Sequence, residues 1–372
     1  MKINSTIINV LRVFATLLVF FCHSSIVERE FLGYQCPLSA FLNTPAWGGV
    51  WIFFIISGLL ASNGFDIGRY QIDRGGIKIY YIRRVSKVLV PTWIFLILVN
   101  IFNIRESNIQ LIALLKMLTW TSNGSELGVR GTGATWFVFV LMWLYLLTPL
   151  FEKWLRSYEK RHEGDKSGAF IKLFFIVLAG GLTYRIVGFF LKLDLYNWLY
   201  ANVLACLDLY LAGMIGSKII RVFPKDHVNK RTFLLSLSWL AFLAMNAFFA
   251  WGPLLGIHFP IYHFYCYISP SLYAVFVILL ALLHSLEGNI TTKDSRMGKF
   301  CNIIAPYTFS FYLWHSNLLA NVADTFVWIE DANMHYLAML VVGFFVVSIV
   351  SFFMTKMNNA IINEIGNWRD SS

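Results

Sequence analysis

The chain has 372 residues, 58% hydrophobic and only 13% charged, with a formal net charge of +10. A soluble domain carries about 25% charged residues, so a water-soluble globular protein is excluded. The basic excess is spread over many short segments instead of forming one soluble patch, which argues against nucleic acid as a partner.

The apolar residues fall in blocks of roughly 18–22, long enough to cross a hydrocarbon core of about 30 Å. Ten are read: 6–27, 46–64, 88–104, 134–151, 170–190, 198–217, 232–251, 268–286, 301–321 and 335–355. The predicted fold is therefore all-α, a polytopic integral membrane protein with about ten transmembrane helices. No stretch between blocks is long enough for a separate soluble domain, so one domain is expected over 1–372, with a tail from about 356 to 372. Lys2 alone precedes the first block as a basic residue, and no small-residue cleavage site follows it; it reads as a retained helix. Residues 109–120 form a weaker amphipathic stretch, too short to span, and read as re-entrant or interfacial.

The first block contains Arg12 and His23, eleven residues apart. At about 100° per residue this is three helical turns plus roughly 20°, so both side chains share a face, about 16 Å apart along the axis. Thr16 and Val19 lie between them on that face. A buried Arg costs on the order of 2.5–3.5 kcal/mol to insert. Singly, Arg12 also fits a snorkelling residue and His23 an interfacial one; the shared face favours a joint function.

After the second block come Arg83, Arg84 and Lys87, ahead of Pro91. They are basic residues of the kind that orient a helix, and also a set suited to phosphate, because the guanidinium fork donates in pairs to phosphate oxygens. The segment 105–133 carries Glu126 and Arg130 in a Gly-rich polar run leading into Trp136, either a flexible loop or a substrate-binding one. The ninth block reads Pro306-Tyr307-Thr-Phe-Ser310-Phe-Tyr312-Leu-Trp314-His315. Ser310 and Tyr312 fit interhelical hydrogen bonding, but a second intramembrane His at a depth matching His23 points to a shared cavity.

Lys/Arg asymmetry sets the orientation. With the N-terminus cytoplasmic, 23 basic residues fall inside and 6 outside, with Arg12 within the membrane. Both termini are thus expected in the cytoplasm, with 65–87, 152–172, 218–231 and 287–300 on the same side. The five cysteines, 22, 36, 206, 266 and 301, show no metal-ligand spacing; one disulfide is allowed but not assignable.

Taken in order, these pieces resemble the acyltransferase 3 family of membrane O-acyltransferases in its stand-alone form. Arg12 and His23 match its helix 1 signature. Gly49-Val-Trp-Ile-Phe53-Phe54-Ile-Ile-Ser57-Gly58 is similar to its helix 2, and Arg83-Arg84 with Pro91 to its basic loop before helix 3. Trp136, Tyr145 and Pro149 keep its helix 4 spacing, and Tyr307, Ser310 and Tyr312-Leu-Trp-His315 match its late motif. Many members carry acidic residues five and six positions after the Trp; Leu141 and Met142 stand there, which excludes a carboxylate role and is similar to simpler surface-sugar O-acetyltransferases. Lys87 stands where another Arg is frequent, and no esterase-like domain is appended.

The resemblance implies an enzyme using acetyl-CoA from the cytoplasm and no metal, in the plasma (inner) membrane of a bacterium among its lipids. The acceptor would be a sugar hydroxyl of a surface glycan or lipid-linked oligosaccharide. Arg12, Arg83, Arg84 and Lys87 would hold the donor, whose pantetheine arm would lie along the Arg12–Thr16–Val19 face. His23 would act as general base or acetylated nucleophile, and Ser57, Tyr312 or His315 would donate to the oxyanion. Trp136, Glu126 and Arg130 would meet the acceptor. A transporter or flippase for a lipid-linked glycan is the alternative; no internal repeat and no paired broken helices of the kind such folds show are seen.

Overall fold

The computed structural model describes residues 3–102, 132–224, 231–257, 264–287 and 295–370. Glu126, Arg130 and the stretch 109–120 lie outside the described residues. Within them the chain is helical without a strand. The helices are α1 Ser5–Leu32, α2 Pro37–Leu42, α3 Ala46–Asp66, α4 Arg74–Phe102, α5 Trp136–Arg161, α6 Lys166–Phe190, α7 Leu195–Leu199, α8 Val203–Val222, α9 Arg231–Trp251, α10 Ser269–Glu287, α11 Arg296–Ile304, α12 Thr308–Thr325 and α13 Ala332–Asp370.

Among the described residues, nine helices are long and apolar enough to span a membrane. The block expected at 301–321 differs: a 3-10 turn at Ala305–Tyr307, centred on Pro306, divides it into α11 and α12. Proline has no N–H to continue the preceding helix. Helix α12 is short and carries Ser310, His315, Asn317, Asn321 and Asp324, so its apolar content is diluted; the first three of these are buried. The third block also differs. The apolar run starts near 88, but α4 begins at Arg74, capped by Asp73, whose Oδ1 accepts from the Gly76 N–H at 2.6 Å. Pro91 lies inside this helix, so Arg83, Arg84 and Lys87 are helical residues and not part of a loop.

The residues fall into two compact units, one made of Met1–Ala15, Trp47–Tyr80 and Trp143–Ala305, the other of Thr16–Ala46, Tyr81–Met142 and Pro306–Ser372. In the first unit α3 and α8 cross at backbone contact. A Cβ added to Gly58 would lie 2.0 Å from the Tyr210 carbonyl oxygen, and one on Gly213 would lie 2.0 Å from that of Ile55. Small residues at such crossings are what let membrane helices approach in the absence of a hydrophobic drive between them. Helix α6 packs on α8, and α10 packs on both α8 and α9. Asn9, near the start of α1, is tied to Asn302 by a 2.9 Å side-chain hydrogen bond.

In the second unit α1 packs against both α12 and α13. Phe20 meets Phe311 and Phe344 edge-on, at centroid separations of 5.4 and 5.7 Å. Helices α12 and α13 run along each other, with Thr355 Oγ1 donating to Ser310 Oγ at 2.8 Å. Short α2 is fastened to the start of α13 by Leu38 N–H donating to Asn333 Oδ1 at 3.0 Å. The five cysteines are free thiols.

Candidate active site

The second unit brings His23 of α1 and His315 of α12 face to edge, with ring centroids 4.8 Å apart and planes at 79°. Each ring is tied to its own helix by Nδ1. His23 Nδ1 lies 2.9 Å from the Val19 carbonyl oxygen, and His315 Nδ1 lies 2.6 Å from that of Tyr312. A carbonyl oxygen only accepts, so each Nδ1 carries the proton and each Nε2 keeps its lone pair. His315 Nε2 is buried without a hydrogen-bond partner. An unmet buried acceptor costs about 1–3 kcal/mol, and its lone pair is the one through which this ring can take a proton. His23 is only half-buried, so its ring is the accessible member of the pair.

The surroundings are built by α12. Tyr312 Oη donates to the Ala134 carbonyl oxygen at 3.0 Å, so its single proton is committed to the 3-10 turn Gly133–Thr135 that leads into α5. Phe137 packs edge-on to Tyr312 at 5.3 Å, and Trp136 is buried beside it. Trp314 packs against Phe95 of α4 at 5.0 Å. Four sequence-predicted residues, His23, His315, Tyr312 and Trp136, thus belong to one unit, and the first three touch in series. Arg83 and Lys87, in the same unit, are exposed one helical turn apart on α4, with Arg84 half-buried between them.

Arg12 and Ser57 belong to the other unit, on α1 and α3, and both are half-buried. That unit holds charges that sequence reasoning passed over. Lys218, counted as a loop charge, is fully buried in α8, with its ammonium 2.5 Å from both Asp66 Oδ1 and Glu152 Oε1. Ser62 donates to the other Glu152 oxygen at 2.9 Å, and Ser217 to Asp66 at 3.2 Å. Arg185, one of the six basic residues that the charge count puts outside, is 1% exposed inside α6 and donates from Nη2 to both Asp208 oxygens at 2.8 and 2.9 Å. Gly181 makes room for that carboxylate: a Cβ there would lie 1.9 Å from Oδ2. Desolvated charges must be paired. The sequence signal for them is an acidic residue within or at the edge of an apolar block.

The same unit has a cavity of about 790 Å³ lined by Asp66, Asp73, Arg156, Glu159, Lys160, Glu163, Lys166 and Arg221 among others. Its four cations face four acids. Arg221 is paired with Glu159 at 2.5 Å, and Lys166 lies 3.5 Å from the same carboxylate. The cavity therefore presents no surplus charge for an anion.

The histidines are told apart by their ring nitrogens. His284 Nε2 accepts from the Trp239 indole N–H at 3.1 Å. His335 has both nitrogens engaged, by Glu28 at 2.9 Å and the Ala323 carbonyl at 3.2 Å. His284 also keeps a buried nitrogen open, its Nδ1, but of these three only His315 packs against His23.

The sequence model of the acyltransferase domain family, Acyl_transf_3, matches residues 6–356. The chain belongs to the acyltransferase 3 family. The match runs across both compact units and makes the protein a multi-pass membrane acyltransferase. Comparison with curated proteins and comparison with solved structures each returned no match.

Proposed function

We propose that this acyltransferase 3 protein moves an acetyl group from acetyl-CoA to a sugar hydroxyl of a surface or lipid-linked glycan. The observation that carries this reading is the His23–His315 pair, two imidazoles with Nδ1 tied back and Nε2 open. In this reading His23 Nε2 accepts the proton of the sugar hydroxyl as its oxygen attacks the thioester carbonyl carbon. The tetrahedral adduct then collapses, the C–S bond breaks, and the thiolate leaves and takes a proton. His315 adjoins His23 as the second proton acceptor of the pair. Tyr312 and Trp136 shape the wall, with the Tyr312 hydroxyl holding the turn at Ala134. Arg12, Arg83, Arg84 and Lys87 are assigned to the donor phosphates, and Ser57 to the oxyanion. Glu126, Arg130 and Trp136 are assigned to the acceptor.

The reading places the termini in the cytoplasm of a bacterial cell and the chain in its plasma membrane. In its support, segments of three basic stretches expected on one side, 65–73, 156–166 and Arg221, line one cavity and so share one end of their unit. Impermeant thiol reagent should label Glu330→Cys and not Arg156→Cys in intact cells; the reverse pattern overturns the orientation.

The test of activity uses purified protein in detergent, where a transporter has no two compartments to work between. Acetyl-CoA should release free thiol, faster with a glycan acceptor, and His23→Ala should remove the release. Coenzyme A should raise the melting temperature by mass action. No release with any acceptor and no shift would favour the transport reading.

A further inference from the structure

The second unit holds another buried pair that the proposed chemistry leaves unused. Glu28 of α1 and His335 of α13 are both fully buried. His335 Nδ1 lies 2.9 Å from Glu28 Oε2, and Nε2 lies 3.2 Å from the Ala323 carbonyl oxygen. A neutral imidazole has a single N–H. With an acceptor carbonyl at Nε2, that nitrogen must carry hydrogen, so one further proton is shared between Nδ1 and the carboxyl group. The pair is therefore neutral as a unit, either imidazolium with carboxylate or imidazole with carboxylic acid. Phe31 stacks on the His335 ring at 4.5 Å with planes 9° apart, and Ser24 Oγ meets Tyr336 Oη at 3.0 Å. Glu28 Oε1 is buried with no hydrogen-bond partner.

Replacing such a buried pair by apolar residues is often neutral or stabilising, so its presence is weak evidence for a stability role; setting register is its best-attested use. The geometry of α1 states which register. At about 100° per residue, Phe20, Phe31, Ser24 and Glu28 lie about 60°, 80°, 100° and 140° around the helix from His23. The first face meets α13 through Phe344, His335 and Tyr336. His23, at the zero of that scale, meets α12 through His315. The two helices thus hold α1 on adjacent faces. Apolar contacts such as Phe20 on Phe344 tolerate rotation, whereas a buried carboxyl group has one partner to find.

We propose that Glu28 and His335 are positioning residues that fix the rotation of α1, and thereby hold His23 edge-on to His315. The effect on turnover rests on the acetyl-transfer reading, but the rotation itself does not, and the test separates the two.

In a cysteine-free background, His23→Cys and His315→Cys are introduced together and bridged with dibromobimane in detergent. The bridge should form efficiently with Glu28 present, fall several-fold in Glu28→Leu, and return in Glu28→Gln, whose amide N–H donates to the Nδ1 lone pair of a neutral His335. His335→Phe keeps the ring stack and loses both hydrogen bonds; it should match Glu28→Leu and serves if that variant fails to fold. On the native histidines, turnover of Glu28→Leu should fall on the order of 10–100-fold, with the donor KM unchanged and near-parental turnover in Glu28→Gln. A merely structural pair would lower the melting temperature and leave turnover per folded molecule and bridging yield unchanged. Full bridging in folded Glu28→Leu and His335→Phe overturns the proposal, as does Glu28→Gln failing as badly as Glu28→Leu. If the parental protein shows no turnover but bridging follows Glu28, the acetyl-transfer reading fails and the positioning stands.

Discussion

Two regions of the molecule bury polar groups in different ways. Around Lys218 and Arg185, in the unit holding Trp143–Ala305, the buried groups are charges, each met by a carboxylate within 2.5–2.9 Å. Around His23 and His315, in the unit holding Pro306–Ser372, they are neutral rings, and one nitrogen is left without a partner. The difference follows from cost. An unpaired buried ion loses many kcal/mol of solvation, so each charge there needs a counter-ion, although Arg185 Nη1 itself has no hydrogen-bond partner. A neutral imidazole can keep an open lone pair for about 1–3 kcal/mol. Reactivity is therefore expected at the open imidazole, and rigidity where each charge has its counter-ion.

The largest expected effect tests the open pair. His23→Ala and His315→Ala should each cut acyl transfer by about 10²–10⁴-fold, with the melting temperature within a few degrees of the parent. The readout is thiol release beside a detergent melting curve. A His315→Ala protein with full activity would reduce that ring to packing and leave His23 alone as the base.

The closed region should respond in the opposite sense. Lys218→Met leaves Asp66 and Glu152 buried beside each other with only the partly exposed Arg221 and Arg156 near them, at 3.8 and 3.2 Å, and Arg185→Met strands Asp208. Each should cost about 3–5 kcal/mol of stability, while turnover per folded molecule is kept. The double variant Arg185→Met with Asp208→Leu should recover most of the loss, because no charge remains unpaired. If Lys218→Met unfolds at the parental temperature but loses turnover, the region is chemical and the comparison collapses.

A smaller effect is expected at the α3–α8 crossing. Gly58→Ala or Gly213→Ala places a Cβ against a backbone carbonyl that cannot swing aside. Overpacking of this kind costs about 1–3 kcal/mol. Gly180→Ala, where an added Cβ meets nothing within 4 Å, is the control and should be neutral or slightly stabilising.

Much of the site was legible in one dimension. The grouping of His23, His315 and Tyr312 leaves a local trace, polar residues in apolar runs. The basic residues were less well served. Counting Lys and Arg treats every cation near a block end as a loop charge, so Lys218 and Arg185 were placed in water although both are buried in helices. The apolar run likewise placed the start of the third helix near 88, because amphipathic turns preceding an apolar run carry no hydropathy signal; the Asp73 cap set it at Arg74.

What the sequence by itself determined is the class of the molecule and the residues worth watching. Hydropathy and helical period act over neighbours within a few turns, and they suffice to specify apolar helices, the Arg12–His23 face on α1, and the family to which the chain belongs. Only the tertiary structure decided which polar groups find one another. Glu28 meets His335 across 307 positions, Lys218 meets Glu152 across 66, and His23 meets His315. No periodicity encodes such pairings. They are fixed by how helices pack when every buried charge must be matched, and they single out His315, whose open Nε2 belongs to a ring packed against His23.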